Sequence, residues 1–131
     1  MKRRTAREKA LQALFQIDLS GTEVHDALNH VLDENEKQDD YLDFLVNGTL
    51  SNKDQIDEII KSNLENWTLE RLNNIDRNIL RISVFEMLKS TEVPVNSVMD
   101  EGIEIAKAYG DDQSGKFVNA VLNKVKQQLQ L

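Results

Sequence analysis

Apolar residues recur at helical spacing along most of the chain, and most densely between Asn74 and Lys89. A helix on this segment is apolar around more than half of its circumference, whereas a surface helix usually carries an apolar stripe of about 100°. Other helices must therefore cover it on several sides. Asn74 is placed to cap the first turn of this helix. The narrow polar face of the helix consists mainly of Asp76, Arg77 and Arg81.

Arg77 and Arg81 lie four residues apart and so share one face of this helix. Like charges at that spacing repel each other slightly, so the pair does not stabilise the helix. The face therefore serves a ligand or partner, or it is a solvated strip on a core helix. The spacing alone favours the solvated strip.

The first part of the chain predicts two helices. Thr5 and Glu8 fit a capping box, which starts a helix that runs to about Asp18 and ends at Ser20-Gly21. Thr22 can cap the second helix, because apolar residues recur at helical spacing directly after it.

A third helical stretch starts near Asp39 or Asp40 and extends toward Trp67. Asn47 to Asn52 contains a glycine and several residues that favour helix caps. The stretch is therefore one kinked helix or two helices with a tight joint. A short turn then leads into the central helix.

Two further helices follow the central one. Pro94 suits the first position of a helix, and Gly110 is expected to end that helix in a left-handed conformation. The last helix carries an apolar stripe from Phe117 to Leu129. Because period-two alternation is scarce and the chain has 131 residues, the pattern predicts one all-α domain.

The charge is unevenly distributed. The net charge is −7, but residues 1–9 carry +4, so the remainder carries −11. Because charges are screened beyond about 8–10 Å, a local basic arm can still attract phosphate weakly and in a salt-dependent way. The alternative is a frayed basic terminus that only aids solubility.

Catalytic and metal-binding signals are weak. Gly110 to Lys116 reads G-x-x-x-x-G-K, but Phe117 replaces the magnesium-binding Ser or Thr, and the segment follows a helix rather than a strand. His25 and His30 are five residues apart, which is a poor spacing for a shared metal. No nucleophile–base pair stands out, so we expect no enzyme activity and no cofactor. Without a signal peptide or membrane-spanning run, the cytoplasm is the expected compartment.

Four stretches occur in a characteristic order along the whole chain, with Gly21 to Asp40 its least informative part. They are Arg3–Phe15 (RRTAREKALQALF), Asp76–Met87 (DRNILRISVFEM), Pro94–Gly110 (PVNSVMDEGIEIAKAYG) and Lys116–Leu122 (KFVNAVL). In this order and at these separations, they resemble the NusB family of bacterial transcription antitermination factors. The resemblance implies about seven helices in two packed sub-bundles, with the N-terminal one at about 5–66 and the C-terminal one at about 68–129.

The resemblance also implies a function. Such proteins bind the boxA element of ribosomal RNA transcripts together with NusE, a small-subunit ribosomal protein. With other Nus factors, they help RNA polymerase to read through terminators. The implied RNA-binding residues are those of a basic arm and of a second region at the last helix: Lys2, Arg3, Arg4, Arg7, Lys116 and Phe117.

The resemblance places Asp76 on the surface that faces NusE, with Arg81 beside it. The expected partner-binding residues are therefore Asp76, Arg77 and Arg81. Phe117 could stack on a base, but its place at the start of an apolar stripe favours a core role. Two other functions stay open: an RNA-binding domain serving a ribosomal RNA cytosine methyltransferase, and a helical protein-interaction module. The wide apolar stripe of the central helix is compatible with weak homodimerisation.

Overall fold

The computed structural model describes residues 1–131 as seven α-helices and one 3₁₀ turn, with no strand. This confirms the all-α class predicted from the sequence. None of these helices is both long and apolar enough to cross a lipid bilayer. The elements are α1 (Arg3–Ser20), α2 (Val24–Val31), α3 (Asp40–Ser51), α4 (Lys53–Lys61), the 3₁₀ turn (Leu69–Arg71), α5 (Asn74–Lys89), α6 (Val95–Tyr109) and α7 (Asp112–Leu129).

Helix α5 is the centre of the fold. It packs against α1, α3, α4, α6 and α7, and every residue from Asn78 to Met87 is buried. The expected coverage on several sides is thus confirmed. The buried apolar side chains of the whole chain form one cluster of 29 residues. The division into two sub-bundles near residue 67 stays a prediction, because α5 contacts helices on both sides of that point.

Three expected caps lie at different residues. Helix α1 begins at Arg3, so the Thr5–Glu8 capping box was wrong, and the N-cap residue Lys2 makes no side-chain cap bond. The side chain of Glu23, rather than Thr22, caps α2. At α5 the cap is Asn73, whose Oδ1 accepts a hydrogen bond of 2.8 Å from the Asp76 N–H.

The interruption between Asn47 and Asn52 is a tight joint between two helices. Asn52 ends α3 and precedes α4, and its side-chain amide donates a 2.8 Å hydrogen bond to the carbonyl of Gly48. Gly48 lies directly against the Phe85 ring of α5, so that a Cβ atom at this position would overlap the ring. The joint therefore lets α3 approach the central helix closely.

Gly110 ends α6 as expected, but not in the left-handed conformation, because its φ is −112°. Glycine suits this position because a Cβ would lie 2.5 Å from the Ser114 hydroxyl oxygen of α7. Asp111 then caps α7 by accepting a 2.9 Å hydrogen bond from the Ser114 N–H. The segment that resembles a phosphate-binding loop is therefore a helix stop followed by an acidic cap, as the sequence suggested.

Candidate functional site

The basic arm, residues 1–9, forms the start of α1 and lies docked on the helical bundle. The Arg3 guanidinium contacts Glu92 at 3.1 Å, and its Cζ lies 4.0 Å from the centre of the Tyr41 ring. Arg4 forms ion pairs of 3.1 Å with Glu8 and 3.0 Å with Glu101. The arm is therefore ordered against α3, α6 and the loop between α5 and α6, which sequence reasoning did not foresee.

Arg7 is buried beneath this arm. Its Nε and Nη2 donate hydrogen bonds of 2.7 and 2.9 Å to the two carboxylate oxygens of Glu86, which is also buried. The Tyr41 hydroxyl donates a 2.6 Å hydrogen bond to the same carboxylate. Burial alone would lower the pKa of Arg7, but the bonds and charge of Glu86 outweigh it, so the pKa lies above its ordinary value. Arg7 thus joins α1 to α5 and α3.

Nearly every cation of the arm has an acidic partner. The Lys9 ammonium lies 3.3 Å from Asp33 and also contacts Glu36, and the N-terminal amine lies 3.5 Å from Asp39. Lys2 is exposed and is the only cation among the first nine residues without an ion pair. The local charge of the arm is therefore largely compensated in the free protein.

The second predicted RNA-binding region borders an open cleft of about 440 Å³ at the start of α7. Lys116 is exposed, whereas Phe117 is half-buried: it packs against the core and also lines the cleft. Trp67, which the sequence reasoning did not select, is 56% exposed on the same cleft. The other lining residues are Arg71, Leu72, Asn73, Asp76, Asp111, Gln113 and Ser114.

Asp76 brings an unusual carboxylate to this cleft. The residue is only 7% exposed, and its Oδ1 has no hydrogen-bond partner, while Oδ2 accepts a 3.2 Å bond from the Asn73 amide. Burial raises the pKa of the Asp76 carboxyl above its ordinary value, and the nearby charge of Asp111 adds to the effect. This Oδ1 atom is itself buried, so an N–H donor of a ligand would reach it only after neighbouring side chains move.

Arg77 and Arg81 point away from this cleft, toward α1 and α4. Arg77 donates two hydrogen bonds of 2.9 and 2.8 Å to one oxygen of Asp18. Arg81 binds both carboxylate oxygens of Asp57, at 2.8 and 3.1 Å. Two acidic residues from other helices therefore compensate the like charges that the sequence left unexplained.

Asp18 is the shared counter-ion of this pair. It also lies 3.5 Å from the Arg81 guanidinium. Burial alone would raise the pKa of Asp18, but the hydrogen bonds and charges of Arg77, Asn78 and Arg81 outweigh it and hold the pKa below its ordinary value. The three expected partner-binding residues thus do not form one patch, because only Asp76 lines the cleft with Phe117.

The arm and the cleft lie near opposite ends of α5. The arm is anchored at Glu86 and the cleft is lined by Asp76, ten residues earlier, which corresponds to about 15 Å along the helix axis. The two sets of residues predicted to bind RNA are therefore separate contacts on one molecule.

Comparison with known proteins identifies the family. The NusB family model matches residues 4–127 of the chain. The chain belongs to the NusB family. It is 53% identical to the transcription antitermination protein NusB of Bacillus subtilis over 130 residues, covering 99% of this chain and 98% of that protein. It is 55% identical to the NusB of Bacillus licheniformis over 130 residues, covering 99% of this chain and 100% of the relative.

Solved NusB structures have the same fold. T. maritima NusB superposes with a TM-score of 0.88 at 34% identity, covering 100% of this chain and 99% of that one. A second match is a chain from a crystal structure of the antitermination factors NusB and NusE in complex with dsRNA. It has a TM-score of 0.85 at 33% identity and covers 96% of each chain.

Proposed function

We propose that the protein is a non-catalytic RNA-binding transcription antitermination factor. The observation that carries this proposal is the match, over 96% of each chain, to a structure of NusB and NusE bound to RNA. The relatives that are named transcription antitermination proteins support the same role, because they are 53% and 55% identical to this chain over nearly its whole length. The RNA is the boxA element of ribosomal RNA transcripts, and NusE is the protein partner. Through this complex, with other Nus factors, RNA polymerase passes terminators.

The arm contributes phosphate contacts in this proposal. Lys2 is unpaired, and Arg3 and Arg4 are partly exposed, so all three can reach an RNA backbone. Arg7 is buried and bound to Glu86, so its role is to hold α1 in place. Each phosphate contact replaces condensed counterions, so the binding should weaken as salt rises.

The cleft at α7 contributes a second contact. Trp67 and Phe117 present aromatic surface in the cleft, and the exposed Lys116 precedes Phe117 in the chain, a combination that suits an unstacked base and its phosphate. Asp76 is the only one of the three partner-binding candidates that lines the cleft, which makes it the best placed of them to contact NusE there. Arg77 and Arg81 support this surface indirectly, because they are bound to Asp18 and Asp57.

The test is a titration of boxA RNA with and without NusE. We expect weak binding by the protein alone and about 5- to 150-fold tighter binding with NusE, because linked binding of two partners typically contributes about 1–3 kcal/mol. A scrambled RNA of equal length is the control. Unchanged affinity in the presence of NusE would rule out the proposed role.

A further inference from the structure

The two exposed arginines of the arm are already occupied in the free protein. Arg3 is bound by Glu92 from the loop between α5 and α6, and Arg4 is bound by Glu101 from α6 as well as by Glu8 of its own helix. A carboxylate and a phosphate oxygen compete for the same guanidinium N–H groups. An RNA phosphate that approaches either arginine therefore competes with a carboxylate of the protein itself for the charge and for some of the N–H groups of the guanidinium.

These two ion pairs are not needed to dock the arm. The side chains of Arg3 and Glu92 are 41% and 80% exposed, and those of Arg4 and Glu101 are 38% and 34% exposed. Ion pairs with that much access to solvent contribute little to stability. The arm is already fixed by the buried pair of Arg7 and Glu86, whose side chains are 6% and 1% exposed. The exposed pairs are therefore free to open without loss of the fold.

We propose that Glu92 and Glu101 are internal competitors that mask Arg3 and Arg4 from RNA. This inference rests on the proposed RNA-binding function. Masking keeps RNA affinity low in the free protein, although the arm carries +4 over its first nine residues. A cationic group of a partner that binds Glu92 or Glu101 would release the arginine beneath it, so that partner binding and RNA binding favour each other.

The test compares four proteins in RNA titrations at low and high salt: wild type, Glu92→Gln with Glu101→Gln, Arg3→Gln with Arg4→Gln, and all four changes together. Glu104→Gln is the matched control, because it removes one carboxylate from α6 that pairs only with Lys107 of its own helix. The probe is a boxA RNA oligonucleotide, and thermal unfolding checks that each variant is folded.

We expect the variant with Glu92→Gln and Glu101→Gln to bind RNA about two- to fivefold tighter for each ion pair that is removed. This gain in affinity should shrink at high salt. In the background without Arg3 and Arg4, the same change should have little effect. Masking is refuted if the glutamate variant binds no tighter than Glu104→Gln, or if the gain persists without the arginines, which would indicate general charge repulsion.

Different results would refute the proposed RNA contact of the arm and the masking of Arg3 and Arg4. If Arg3→Gln with Arg4→Gln leaves RNA binding unchanged, the arm does not contact RNA and the proposed role of the arm fails. If that variant loses affinity while the glutamate variant binds like wild type, only the masking inference fails.

Discussion

The ion pairs formed by the arginines of the arm differ in how deeply they are buried. Arg7 and Glu86 share a bidentate pair inside the molecule, whereas Arg3 and Arg4 hold ion pairs at its surface. Removing one partner of a buried pair leaves an uncompensated charge, which costs about 3–5 kcal/mol. Exposed pairs contribute about 0–1 kcal/mol. Arginines only a few residues apart therefore have different roles.

Arg7→Ala should lower the free energy of unfolding by about 3–5 kcal/mol, because it leaves the Glu86 carboxylate buried without its partner. Denaturant unfolding is the measurement, and Lys2→Ala is the control, with an expected change below about 0.5 kcal/mol. If Arg7→Ala unfolds like wild type and yet binds RNA more weakly, Arg7 is a phosphate contact and not an anchor.

Asp76→Asn should stabilise the isolated protein near neutral pH. The raised pKa means that folding favours the neutral carboxyl, so the stability that this group contributes is present at low pH and lost as the pH rises through its folded pKa. The substitution removes the buried charge, with an expected gain of about 1 kcal/mol.

That gain should shrink as the pH falls toward the ordinary pKa of an aspartate, because both side chains are then neutral. Unfolding curves at several pH values test this, with the exposed Asp100→Asn on α6 as the control. A destabilised Asp76→Asn variant at neutral pH would show that the carboxylate charge is favoured in the fold.

Sequence reasoning found the arm but not its partners. The spacing of Arg3, Arg4 and Arg7 marks a basic helix start, but the contact between Arg7 and Glu86 joins residues 79 positions apart. Local patterns contain no information on such contacts. The same limit applies to Asp18 and Asp57, which explain the paired charges on α5. The RNA-binding and partner-binding residues themselves stay predictions.

At the scale of elements, the helices were more predictable than their ends. The apolar period predicted α5 and its coverage, and the glycine-containing stretch predicted either a kink or the joint that separates α3 from α4. The cap at Thr22 was wrong because the neighbouring Glu23 takes that role, and the cap at Thr5 was wrong because α1 already begins at Arg3. Trp67 was missed as a cleft residue because it lies outside any regular helix.

The joint between α3 and α4 gives a prediction at this scale. Gly48→Ala should lower the free energy of unfolding by about 1–3 kcal/mol, because the added methyl group would overlap the buried Phe85 ring. Denaturant unfolding measures the loss. Asn47→Ala, at the exposed neighbouring position, should change stability by less than about 0.5 kcal/mol. Equal effects of the two substitutions would mean that α3 does not press on the central helix.

At the scale of the whole molecule, a short cation-rich segment whose charges are largely paired lies on an acidic body. The net charge of −7 opposes RNA binding at long range, so attraction is confined to the few angstroms around the arm and Lys116. Under the proposed function, we expect such a protein to bind RNA weakly by itself and to bind it more tightly with a second protein. This arrangement is consistent with joint binding of RNA by NusB and NusE.

The most direct test of the account is the salt dependence of boxA RNA binding by wild type and by Arg3→Gln with Arg4→Gln. Each phosphate contact to single-stranded RNA contributes about 0.7 to the slope of log K against log salt. Because two arginines are removed, we expect the slope of the variant to be flatter by about 1.4. Its unfolding free energy should stay within about 1–2 kcal/mol of wild type. An unchanged slope with an unchanged fold would contradict the claim that the docked arm binds RNA.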